Sequence, residues 1–240
     1  MQTKTIVILA NSVKKSGRCL AGKEVSRSGD TWEIGRWIRP VGTEEGSEIS
    51  EYSMKLALGH DPELLEIVEI PFERTAPLPD QPENWLIQKP SKDAWKSLGK
   101  MKWRDLPALV DEPKELWTDP STTLRRDKDG FPRKMAKTAS LYLIKPDKIE
   151  SIRVWSENNN FSGAAYPVKK KRVLTIRYAD VLHECDIDDP VFSNKYYAKF
   201  PSVNQANLEI NLAKPKDTFV CVSLTGFLLW LPLQDCSCVF

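Results

Sequence analysis

The groups in this 240-residue sequence that could do chemistry gather in a few short runs. Asp186-Ile187-Asp188-Asp189 places three carboxylates within four residues, the kind of cluster that holds divalent cations for phosphodiester cleavage. The same residues also make an ordinary polar strand end before Pro190, which is the favoured reading. Only His60 and His183 could serve as imidazole bases, His60 lies in a Gly-His-Asp-Pro turn, and no serine has a G-x-S-x-G setting. No G-x-x-x-x-G-K or G-x-G-x-x-G run occurs; Ala21-Gly22-Lys23-Glu24 lacks the glycine spacing and the hydroxyl that should follow. A zinc-deaminase signature is missing too. Cys236 and Cys238 could join His183 and Cys185 around a metal, but one intervening residue is tighter than the usual spacing of zinc ligands. Buried or terminal free thiols are expected instead. The expectation is a non-catalytic chain without cofactor or metal.

Cations interleaved with aromatic residues suggest another chemistry. A polyanionic strand is held by ammonium and guanidinium groups that track its phosphates and by aromatic faces on which its bases stack. In the first third, Lys14, Lys15, Arg18 and Lys23 precede Gly35-Arg36-Trp37-Ile38-Arg39. Strand alternation puts Arg39 on the face of Trp37 and Arg36 on the other. Trp37 is then either a stacking platform or core beside a snorkelling Arg39, and a lone strand tryptophan is more often core. Further on, Lys169, Lys170, Lys171 and Arg172 form a basic tract, followed by Arg177 and Tyr178, while Arg125, Arg126, Arg133 and Lys134 lie in a turn-rich basic stretch around Asp129-Gly130. All of these are candidate nucleic-acid contacts, for single-stranded DNA or RNA.

Composition is that of a globular chain: 41% hydrophobic, 28% charged, formal net charge +2. The charge is segregated, with nine acidic side chains against Lys55 between Glu44 and Glu73, and six basic ones against Asp127 and Asp129 between Arg125 and Lys137. A molecule with separate acidic and basic faces can bind a polyanion at modest net charge, although each charge run alone suits a solvated surface. No leader-like segment follows Met1, and Phe227-Leu228-Leu229-Trp230-Leu231 is far short of the ~20 residues of a membrane span. The five cysteines are expected reduced, in a cytoplasmic protein with no membrane partner.

Apolar alternation predicts strands at about 4–10, 18–26, 32–34, 37–39 and 64–72, with weak helical character over 48–58. Five short strands and one helix suit a small OB-like barrel over 1–75. Residues 76–137 are broken by prolines and hold Trp85, Trp95, Trp103 and Trp117, half of the eight tryptophans, so a helical connector is expected, with short helices near 91–98 and 112–117. Strands resume at 140–144, 149–155, 173–178, 181–187 and 218–224, which predicts a second OB-like barrel over 138–240, with a helix or loop at 190–200. The fold class is mainly β with short helices, two small barrels joined by a Pro/Trp-rich connector.

The segments Ile6-Val7-Ile8-Leu9-Ala10-Asn11-Ser12-Val13-Lys14, Gly17-Arg18-Cys19-Leu20-Ala21-Gly22 and Trp37-Ile38-Arg39-Pro40-Val41 resemble the dual OB-fold (duOB) domain proteins of bacteria. So do Ser140-Leu141-Tyr142-Leu143-Ile144, Lys170-Lys171-Arg172, Asp186-Ile187-Asp188-Asp189-Pro190 and Phe219-Val220-Cys221-Val222-Ser223-Leu224. The apolar Leu228–Leu233 departs from the polar-edged last strand of that pattern. The resemblance implies two OB barrels and a nucleic-acid role, often in bacterial antiviral defence, as a sensor or adaptor; it supplies no active site. Two alternatives remain: a protein-interaction subunit docking a partner enzyme through the acidic 44–73 face or the Trp-rich connector, and a metal-dependent nuclease or modified-base reader using Asp186, Asp188 and Asp189.

Overall fold

A computed structural model describes residues 2–14, 17–29, 31–79, 81–89, 91–92, 94–116, 139–157, 169–187, 208–209, 218–223 and 228–231. The chain divides into two compact units, Met1–Glu112 with Ala136–Ile144, and Pro113–Met135 with Lys145–Phe240.

The first unit is a closed five-stranded barrel. Strands β1 (Gln2–Lys14), β2 (Gly17–Ser28) and β3 (Thr31–Val41) form an antiparallel meander. After the two-residue β4 (Ile49–Ser50) and helix α1 (Glu51–Leu58), β5 (Glu66–Thr75) pairs antiparallel with β1, and β6 (Asn84–Ile87) joins β5 to β3, parallel to the latter. Strand order β1-β2-β3-β6-β5, closing back on β1, with a helix before β5, is the OB arrangement. Inward residues Ile6, Ile8, Leu20, Ile38, Val68, Ile70 and Phe72 form the core, into which α1 sets Met54 and Ala57. Ser50 caps the helix by accepting from Ser53 N, and Gly59 ends it at φ 86°, a left-handed conformation that glycine adopts without strain. At Gly22 a Cβ would lie 2.0 Å from the Val7 carbonyl oxygen, so β1 and β2 can approach there only without a side chain.

The fifth barrel strand is β6, beyond the boundary expected at residue 75. The two strands expected at 32–34 and 37–39 are a single β3 interrupted by a bulge: Lys23 pairs with Trp37 and Val25 with Ile34, three steps on β3 against two on β2. The helix expected at 91–98 is also replaced: Lys96–Lys100 form β7, paired with the β5 edge. There the hydrogen-bonding demand of an open strand overrides a capped-helix pattern. Trp103–Leu109 make a 3₁₀ turn, and no helix forms over 112–116. β8 (Leu141–Ile144) completes the first unit.

In the second unit β9 (Lys148–Glu157), β10 (Lys169–Tyr178) and β11 (Val181–Asp186) form an antiparallel sheet, with β12 (Leu208–Glu209) on β9; β13 (Phe219–Ser223) pairs with β14 (Leu228–Leu231). Ile152, Val154, Leu174 and Ile176 form its buried side. The β10–β11 turn is Ala179-Asp180, both at positive φ (49° and 62°), the handedness a two-residue hairpin requires. Tyr178 donates to the Pro113 carbonyl (2.8 Å), tying residue 113 to this sheet. The 190–200 segment lies outside the described residues. Among the described residues no helix is long and apolar enough to cross a membrane.

Candidate nucleic-acid interface

Ile38 faces the first barrel's core, so its neighbours Trp37 and Arg39, and Lys23 opposite Trp37, belong to the outer face of β2–β3. That face is filled by the unit's own carboxylates. Lys23 Nζ donates to Asp111 Oδ1 (2.6 Å) and to the Leu109 carbonyl (2.8 Å). Asp111 Oδ2 accepts from Trp37 Nε1 (2.9 Å) and from Leu143 N (2.9 Å). Arg39 donates to Ser140 Oγ (3.1 Å), while Ser140 donates its N–H and hydroxyl to the two oxygens of Glu83 (2.5 and 2.8 Å). Trp37 and Arg39 are each only 8% exposed and Lys23 6%. Trp37 is thus buried, but on the outer face against Asp111 rather than in the barrel core, and Lys23 and Arg39 are turned to Asp111 and Ser140. Arg18, another candidate cation of the first barrel, donates to Glu51 Oε1 (2.7 Å) in the first turn of α1. Lys14 is described in backbone only, and Lys15 lies outside the described residues.

The bulge changes the placement of Arg36. Its guanidinium carbon lies 5.0 Å from the Trp85 ring centroid, so it borders the same cleft as Trp37 instead of the opposite face. Strict alternation could not show this, since a bulge re-aims the side chains it displaces.

The second unit offers a more open arrangement. On β9 and β10 the buried side is Ile152, Val154, Leu174 and Ile176; the opposite face carries half-buried Arg153, Trp155, Lys171, Thr175 and Arg177, together with the buried Val173 opposite Arg153. Lys171 stands opposite Trp155 in register, with Arg153 two residues along the strand. Lys171 makes no ion pair among the described residues. Arg153 pairs with Glu184 (2.5 Å), and Arg177 with Glu150 (2.9 Å), which also takes Lys148. Hydrogen bonds from Lys148 and then Arg177 hold the Glu150 carboxyl below its ordinary range. Arg172 lies on the buried-side register with Val154. Lys169 and Lys170 occupy β10 with only their backbone described, and Arg125, Arg126, Arg133 and Lys134 fall outside the described residues.

Inward from this face, His183 is 2% exposed and burial pushes its imidazole pKa down. Asp186 ends β11, whereas Asp188, Asp189, Cys236 and Cys238 are not among the described residues. Among the described residues no group of three or more histidine, cysteine or acidic side chains could hold a metal ion. Sequence reading missed Glu83, Asp111 and Ser140, which close the first face, and Arg153 and Trp155, which build the second. Only the last two left a readable signal, an Arg-x-Trp in a predicted strand.

Residues 4–228 match the family model of the dual OB-containing domain. No curated protein matches the sequence. OB-fold domains are generally nucleic-acid binding.

Proposed function

The chain belongs to the dual OB-containing domain family, and from that premise we propose that it is a non-catalytic binder of single-stranded DNA or RNA. The observation that carries the reading is the outer face of β9–β10, where half-buried Trp155 is opposed by Lys171, which has no ion pair among the described residues, and flanked by Arg153. Such a face supplies phosphate contacts and a ring for base stacking, giving salt-dependent affinity with little sequence preference. Lys169 and Lys170, next on the same strand, add positive charge where the strand begins. In a cell the chain acts as a sensor or adaptor that positions nucleic acid for a partner, in the setting of bacterial defence. Fluorescence anisotropy with single-stranded RNA, single-stranded DNA and duplex DNA at two salt concentrations tests this. Micromolar or tighter binding that weakens with salt supports it, and no binding to any of the three overturns it.

A second reading, docking of a partner protein, is favoured by a separate feature. A cleft of about 560 Å³ beside α1 is lined by Glu44, Glu45, Glu48 and Glu73. Its chemistry suits a basic peptide segment; co-purification that is lost when these glutamates are neutralised, with nucleic-acid binding absent, would favour it over the first.

A further inference from the structure

We propose that the cleft at the β3 bulge, within the first unit, receives a single nucleobase stacked on the Arg36 guanidinium. For bases carried on a strand this rests on the nucleic-acid reading above; for a free nucleoside it stands alone. The cleft measures about 350 Å³, at the lower end of small-ligand sites, and its walls include Arg36, Trp37, Thr75, Glu83, Trp85 and Asp111.

Its stacking surface is built in advance. The bulge brings Arg36 over Trp85, whose ring is fixed by the edge of Phe72 (centroids 5.7 Å apart, planes at 68°) and by Lys4 Nζ at 4.5 Å. A guanidinium held on an aromatic ring is itself a planar platform, and Arg36 is exposed.

The walls then select the ligand. Glu83 and Asp111 oppose a phosphate at the floor, so the sugar-phosphate must lie outward. Lys23 and Arg36 oppose a cationic ligand. A neutral flat ring satisfies both. A carboxylate has about four acceptor sites. Asp111 uses three, on Lys23, Trp37 and Leu143, and Glu83 uses two, on Ser140. The remainder favour a base bearing an exocyclic amine, as cytosine, adenine and guanine do, over uracil.

The test compares wild type with Arg36→Ala and Arg36→Lys, the latter keeping the charge but not the plane. Two probes are used: labelled single-stranded oligonucleotides, with bases and fully abasic, followed by anisotropy; and free cytidine and uridine, followed by ligand-observed NMR. The expected result is about a tenfold loss of base-bearing oligonucleotide affinity in both variants, no change for the abasic strand, and cytidine binding stronger than uridine. If oligonucleotides bind and both variants match wild type, the proposal is overturned while the reading of the second unit stands. If no oligonucleotide binds but cytidine binds in an Arg36-dependent way, the strand reading falls and the site holds for free nucleosides. Binding of neither probe overturns both.

Discussion

The two units carry the same small pattern and use it in opposite ways. In the first, Lys23 faces Trp37 across paired strands, and Arg39 lies two residues from that tryptophan. In the second, Lys171 faces Trp155 and Arg153 lies two residues away. The first trio is buried against Asp111, Glu83 and Ser140, whereas the second stays half-buried with Lys171 unpaired among the described residues. Side-chain grammar alone therefore does not make a binding face. Both faces receive carboxylates, Glu184 on Arg153 in the second; what differs is that the first trio is buried with its lysine held by Asp111, and a buried cation must be paired because an uncompensated one is costly.

The largest expected effect breaks the closed face. Asp111→Asn leaves the Lys23 ammonium buried against a neutral amide and should destabilise the first unit by about 3 kcal/mol in urea denaturation. A loss below about 1 kcal/mol would mean that packing, not charge, closes the face. Next, the comparison predicts unequal binding: Lys171→Glu should cost about tenfold in single-strand affinity and flatten the salt dependence, while Arg18→Gln, whose charge is engaged by Glu51, should change neither. Equal losses from the two would erase the distinction between the units.

A pH series separates the second unit in another way. Burial lowers the His183 pKa in the folded state below its ordinary value of 6.5, so the unfolded chain takes up that proton first. Stability from this group is whole above pH 6.5 and falls as the pH drops below it; His183→Gln should flatten that slope, and an unchanged slope would remove the histidine from the account. The smallest effect is at the hairpin. Ala179→Gly relieves a left-handed alanine and should stabilise the second unit by roughly 0.5–1 kcal/mol, seen as a higher thermal midpoint.

Most strands were legible because half-buried sheets impose a period of two, and β8 to β11 and β13 lie where alternation predicts them. The bulge at Gly35-Arg36 breaks that period, so alternation predicts two strands where β3 is one. Local capping residues predict a helix where β7 forms, because the open β5 edge that it pairs with exists only in the folded barrel. The candidate site was legible in its cations and not in their partners. Lys23 meets Asp111 across 88 positions and Arg39 meets Ser140 across 101, and no local pattern records a partner that distant.

The first unit is also discontinuous: it needs Ala136–Ile144 as well as Met1–Glu112. A ribosome therefore releases the whole barrel, β1 to β6, before it has made Ser140 and Leu143. Until those residues emerge, Glu83 lacks its Ser140 donors and Asp111 its Leu143 amide, so the nascent barrel waits half-sealed. A chain stopped at residue 112 would inherit that state permanently, which makes the order of synthesis part of how this protein closes its first face.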